Sequence, residues 1–160
     1  MRKSTLGVGS LAVLAGFAVG FIWNGRIISK RIAQKTEKVE KFRNYYDILN
    51  QWLMLKQEGK SLEKYFVENN INSIAIYGMG EMGNRLYNEL KDSKINIKYA
   101  IDQTAGNIYS DINVYSLDDE LEEVDAVIVT ATFVFSSIKE QMEEEFDFPI
   151  ISLEDVVFSI

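Results

Sequence analysis

The run Ser73 to Gly83, Ser-Ile-Ala-Ile-Tyr-Gly-Met-Gly-Glu-Met-Gly, constrains the fold more than any other stretch of the chain. It places G-x-G-x-x-G directly after an apolar strand pattern and directly before an amphipathic helix pattern, the context in which three glycines cradle a nucleotide pyrophosphate. Gly78 permits the tight turn out of the strand, Gly80 lets a phosphate approach the backbone, and Gly83 lets the helix pack close to the sheet. Met79, Glu81 and Met82 complete the loop, whose helix N-terminus points at the anion. Ile97–Ile101 reads as the next strand, and Asp102 stands at its end, 24 residues after Gly78, where a carboxylate can accept from ribose hydroxyls.

The rest of the body alternates strand and helix patterns. Ser61 is placed to cap a helix through about Asn69, and Met82, Leu86 and Leu90 recur at spacing four behind the glycine loop. A short strand near Ile112–Tyr115 precedes Ser116-x-x-Asp119, a capping signal for a brief helical turn. Val124 to Thr130 holds Ala-Val-Ile-Val, the continuous apolar run of a strand covered on both faces. Ser137-x-x-Glu140 reads as a capping box for a helix through about Glu145, and Pro149 opens an edge strand, Ile150–Ser152. Right-handed crossovers then predict one small, doubly wound α/β sheet of order 3-2-1-4-5 over residues 59–160. Its crevice gathers the glycine loop, Asp102 and Thr130-Ala131-Thr132 as the candidate ligand site.

Before residue 59 the chain changes character. The net charge of −7 divides into +7 over residues 1–43 and −14 over the remainder, a basic stem on an acidic body. Thr5 to Trp23 carries no charge, and as a helix it would rise about 28 Å, enough to cross a bilayer once. Arg26, Lys30, Arg31, Lys35, Lys38 and Lys41 follow it, so the positive-inside rule predicts a single-pass anchor, residues 1–24, with the body in the cytoplasm at the cell membrane. Two other readings of this segment are a cleaved secretory signal ending near Ala18-Val19-Gly20 and a buried core helix. Ala12, Gly16 and Gly20 share one face at spacing four, which lets two such helices approach closely and predicts a homodimer. The charges of the stem suit anionic lipid, and no nucleic-acid partner is needed to explain them.

Residues 25–58 contain no proline, and from Arg26 no glycine, so a long helix can follow directly. Ile28, Ile32, Val39, Phe42, Tyr46, Leu49 and Leu53 fit heptad positions a and d, with Lys35 as the flaw. The pattern allows a parallel coiled coil; it equally allows an amphipathic helix whose aromatic end, Tyr45, Tyr46 and Trp52, packs on its own subunit. Gly59 ends the helix.

The inventory restricts the chemistry. The chain has neither cysteine nor histidine, which excludes thiolate nucleophiles, imidazole bases and Cys/His zinc sites. Tyr87-x-x-x-Lys91 has a spacing used by short-chain dehydrogenases but falls on the wrong element, and the acidic runs 118–125 and 143–145 read as solvated faces. No catalytic residue and no metal site is therefore assigned. No Lys or Arg closely follows Asp102 to receive a ribose 2′-phosphate, so NAD is favoured over NADP if a dinucleotide binds.

The stretch Ile-Tyr-Gly-Met-Gly-Glu-Met-Gly-Asn-Arg-Leu-Tyr-Asn-Glu-Leu, followed by Tyr-Ala-Ile-Asp and Val-Asp-Ala-Val-Ile-Val-Thr-Ala-Thr, resembles the small Rossmann-type nucleotide-binding domains of bacterial capsule and exopolysaccharide biosynthesis proteins. It is similar to the N-terminal domains of sugar acyltransferases and to the cytosolic domain preceding the catalytic part of sugar-nucleotide dehydratases. Over residues 71–158 the resemblance implies that Gly78, Gly80, Gly83 and Asp102 hold a nucleotide or nucleotide-sugar, with a polysaccharide-biosynthesis enzyme as partner. The expected function is a membrane-anchored, non-catalytic nucleotide or nucleotide-sugar binding module. The alternative is an NAD-dependent oxidoreductase or sugar-nucleotide-modifying subunit whose substrate half lies on another chain.

Overall fold

The computed structural model describes residues 34–107 and 110–160. The stretch Thr5 to Trp23, the small-residue face at Ala12, Gly16 and Gly20, and the heptad positions Ile28 and Ile32 lie outside the described residues. Among those described, no helix is long and apolar enough to cross a membrane. The chain divides at Arg43 and Asn44 into two compact units. Residues 34–43 of the first unit are helical; in the second, α1 covers residues 44–57.

Alternation along the central strands builds the second unit. In β1 (Ser73–Tyr77), Ile74 and Ile76 face one way while Ala75 and Tyr77 face the other, and all four are buried. The same holds for β4 (Ala126–Val129), whose unbroken apolar run is what two covered faces require. With β2 (Asn96–Ile101), β3 (Val114–Tyr115) and β5 (Ile150–Ser152) they form one five-stranded, wholly parallel sheet of order 3-2-1-4-5. This is the predicted order. Pro149 precedes the edge strand and its carbonyl accepts from the Val127 N–H, so the missing proline donor costs no ladder bond.

The Ile74/Ile76 face carries α1, α2 (Glu63–Glu68), α3 (Glu81–Leu90) and α5 (Leu153–Phe158). Helix α1 enters this core through Ile48, Trp52 and Leu55, and the compact unit begins at Asn44. The Glu89 carboxylate, almost fully covered, fastens these helices together. It meets Lys56 at 2.5 Å and accepts from Ser61 Oγ and the Leu62 N–H. Gly59, at φ +74°, turns the chain between α1 and α2. The opposite face is closed by α4 (Phe135–Glu143), through Ile138 and Met142, and by the segment bearing Leu117 and Leu121.

Two capping expectations are corrected. Ser137 lies inside α4 and makes no cap, because a 3-10 turn at Thr132–Val134 carries the chain from β4 straight into the helix at Phe135. Phe135 packs against the sheet from that position. Ser116 and Asp119 do pair, with Asp119 accepting from the Ser116 N–H at 2.7 Å, but they close an isolated turn and not a helix. Ser61 stands one residue ahead of the α2 N-cap, Leu62, and accepts from the Glu63 N–H, while Ser152 caps α5 by accepting from the Glu154 N–H. The aromatic cluster of α1 is split: Tyr45 and Trp52 pack on the body while Tyr46 faces solvent.

Candidate functional site

β1 and β4 are neighbours at the centre of the sheet, where the chain order reverses, and the crevice of such a sheet opens beyond their carboxyl ends. The glycine loop leaves β1 at that point. Gly78 adopts φ +93°, a region costly for any residue with a Cβ, and its N–H donates to the Ile101 carbonyl at 2.8 Å. Gly83 is held so close beneath it that a Cβ there would lie 2.1 Å from the Gly78 carbonyl oxygen. Gly80 differs from both: it is exposed, at φ −69°, and a Cβ would meet nothing within 4 Å. Gly78 and Gly83 are thus required by the loop itself, whereas the bare backbone at Gly80 faces open space in front of α3.

The remaining loop residues divide by burial. Met79 and Met82 send their side chains into the core, so they can serve a ligand only through their backbone. Glu81 is exposed, the sole charge in the first turn of α3. The N–H groups of Glu81, Met82 and Gly83 lie in that first turn, where no intrahelical acceptor exists. Together with the Gly80 N–H they form the donor set available to an anion, and the helix dipole favours negative charge there.

Three polar side chains hold this loop in place. Asp102 Oδ2 accepts from the Met79 N–H at 2.9 Å, and Oδ1 accepts from the Thr104 N–H at 2.9 Å and Thr104 Oγ1 at 2.8 Å. Partial burial works against ionisation of Asp102, but the bonds from Thr104 and Met79 prevail and hold its carboxyl below the ordinary range. Thr130, buried at the end of β4, donates to the Gly78 carbonyl at 2.6 Å. Asn84 donates to the carbonyls of Met79 and Gly80, at 2.9 and 3.0 Å. The structure therefore brings Asp102 and Thr130 to the glycine loop as the sequence predicts, with much of their polar capacity already spent on the loop.

Thr132 is turned elsewhere. Its hydroxyl donates to the Asn44 side chain of α1, whose amide donates in turn to Glu154 at 3.2 Å. Ala131, half-buried, joins the two threonines and caps the 3-10 turn. Asn44, Asn84 and Thr104 were not singled out from the sequence. Asn84 follows the last loop glycine directly, and Asp102-x-Thr104 is a local turn signal in which an aspartate accepts from the residue two ahead.

One buried group has no such satisfaction. The Tyr77 hydroxyl, on a residue 4% exposed, makes no hydrogen bond among the described residues, and burial raises its pKa. Tyr77→Phe is expected to change stability by less than about 1 kcal/mol, because no bond is lost. Thr130→Val, by contrast, leaves the Gly78 carbonyl without its donor and is expected to cost about 1–2 kcal/mol in chemical denaturation.

Fold and site together define a small parallel α/β domain with a glycine-rich loop at the switch point of its sheet. More particularly, the chain belongs to the family described as C2185-like, N-terminal, whose model matches residues 70–149, half of the chain. The match runs from the approach to β1 through Pro149 and so takes in the glycine loop, Asp102 and Thr130. No curated protein and no solved structure matches.

Proposed function

We propose that the second unit binds the phosphate-bearing part of a nucleotide, NAD or a nucleotide-sugar, and that it does so as a non-catalytic module tethered to the cytoplasmic face of the membrane by residues 5–23. The observation that carries the binding reading is the exposed, side-chain-free backbone at Gly80 in front of the first turn of α3, braced from behind by Asp102, Thr130 and Asn84. A loop serving only as a connection has no need for a bare residue where a Cβ would fit. The Gly80 to Gly83 N–H groups would take the phosphate oxygens, and the free lone pairs of Asp102 would take a ribose hydroxyl.

The polysaccharide context rests on the resemblance of residues 71–158 to nucleotide-binding domains of capsule biosynthesis. A non-catalytic role agrees with the chemistry at hand, since Asp102 is the ionisable side chain hydrogen-bonded to the loop and its carboxylate is occupied with holding Met79 and Thr104. Calorimetric titration of the full chain in detergent with NADH, NADPH and UDP-sugars tests the reading. One ligand class is expected to bind more tightly than about 100 µM, or roughly −5.5 kcal/mol. A folded protein that binds none of them would overturn it.

Gly80→Ala separates ligand contact from folding. Its melting midpoint is expected to stay near that of the parent, because the added methyl meets no atom within 4 Å. Its affinity is expected to fall at least tenfold, because the methyl stands where a phosphate would approach the backbone.

A further inference from the structure

The unbonded Tyr77 hydroxyl stands at the edge of the glycine loop. Tyr77 ends β1, and Gly78 follows it directly. Its ring belongs to the buried cluster that holds Ile101 and Val129, with half-buried Ala131 against it. A phenylalanine would fill the same space without carrying an unsatisfied polar atom into the interior, so packing alone does not explain the hydroxyl.

The sheet fixes which side of the crevice this hydroxyl serves. Ile74 and Ile76 face the helices α1, α2, α3 and α5, whereas Tyr77 faces the other way with its register partners Ile101 of β2 and Val129 of β4. The open amides of α3 therefore lie to one side of the end of β1 and the tyrosine to the other. Asp102, one residue beyond Ile101, links the two: its carboxylate holds the Met79 N–H. Burial first, and the charge of Asp102 with it, keep the tyrosine hydroxyl protonated. A nucleotide with its phosphate on the α3 amides and its ribose at Asp102 has one part left to pass over the end of β1, its base.

We propose that the Tyr77 hydroxyl recognises the base of that nucleotide, donating to a ring nitrogen or carbonyl oxygen on its edge. The inference rests on the binding reading above and adds the part of the ligand that reading leaves without a contact. A phenol that stays protonated is a donor throughout the neutral range, so it selects an acceptor. Gln103, exposed on the turn after β2 and near the hydroxyl, is the side chain that swings aside as the base enters.

The test uses the full chain in detergent, labelled with ¹³C at the phenolic carbon of tyrosine and titrated with NADH and with UDP-glucose. The Tyr77 resonance is identified by its loss in Tyr77→Phe. It is expected to shift with the calorimetric midpoint of the nucleotide that binds, and to stay in place with ribose 5-phosphate, which has no base. Tyr77→Phe is expected to keep its melting midpoint and to bind that nucleotide about tenfold more weakly. A parent and a Tyr77→Phe variant that bind equally well, a resonance that moves as far with ribose 5-phosphate, or one that responds to Gln103→Ala and not to the nucleotide would overturn this inference and leave the binding reading standing. A parent that binds neither nucleotide would overturn both.

Discussion

Gly83→Ala is expected to destabilise the body by about 3 kcal/mol or more, enough to leave much of the protein unfolded at physiological temperature. The added carbon would stand 2.1 Å from the Gly78 carbonyl oxygen and 3.1 Å from its carbon. Neither neighbour is a side chain that can swing away. Gly78 is itself fixed, by its positive φ, by its N–H bond to Ile101 and by the Thr130 hydroxyl on its carbonyl. Relief therefore requires α3 to move off the sheet, which would expose Met82, Leu86 and Leu90, all now buried. Equilibrium denaturation with guanidinium checks this, and the contrast with Gly80→Ala makes it specific. Two glycines three residues apart in one fingerprint should differ by several kcal/mol, since one is required by packing and the other is not.

Asp102→Ala is expected to cost about 2–3 kcal/mol of stability and to abolish measurable ligand binding. The carboxylate accepts three hydrogen bonds, and bonds to a charged acceptor contribute more than neutral ones. Removing it frees the Met79 N–H and the turn at Thr104 together, so the loop loses its tie to the end of β2. The stability has a defined pH dependence. Because the folded-state pKa of Asp102 lies below its ordinary value, the contribution is fully present above the unfolded pKa, near 4, and is lost as pH falls through the lower folded value. The parent and Asp102→Ala should therefore differ most in stability at neutral pH and converge in acid. A difference that persists unchanged at pH 2 would place the effect in packing and not in the carboxylate.

The parts of the fold legible in the sequence were those governed by periodicity. Ile74 to Tyr77 and Ala126 to Val129 are short apolar runs that only a sheet covered on both sides can use, and right-handed crossovers then leave the order 3-2-1-4-5. That the glycine loop, Asp102 and Thr130 come together was legible because the α/β order places the ends of β1, β2 and β4 side by side. What they do to one another was not. The Asp102 bond to Met79 and the Thr130 bond to Gly78 join residues 23 and 52 apart, contacts that exist only once the sheet has formed. Capping signals misled for a related reason. Ser137 has the right neighbours for a capping box, but the packing of Phe135 on the sheet starts the helix earlier, and tertiary burial outweighs a cap contributing about 1 kcal/mol. For α1, the aromatic residues could not reveal their own facing, since Tyr45 and Tyr46 are adjacent and only one of them can turn toward the body.

The partly satisfied site also clarifies what a ligand has to do. Thr132 is engaged with Asn44, and Asp102 with Thr104, so a bound nucleotide would share these acceptors and donors and not meet an empty set. The Gly80 backbone and the first turn of α3 are where the binding proposal requires no existing bond to break.

The most direct measurement is therefore made at those amides. With ¹⁵N-labelled glycine, glutamate and methionine in the full chain, NADH, NADPH and UDP-sugars are titrated and the amide resonances of Gly80, Glu81, Met82 and Gly83 are followed. A phosphate bound at the helix N-terminus predicts saturable shifts at all four, larger than those of Gly59 and Gly106, with the same midpoint as calorimetry. Saturation by a ligand that leaves these four unmoved, or no shift with any of the ligands, would contradict the assignment of the glycine loop as the binding site.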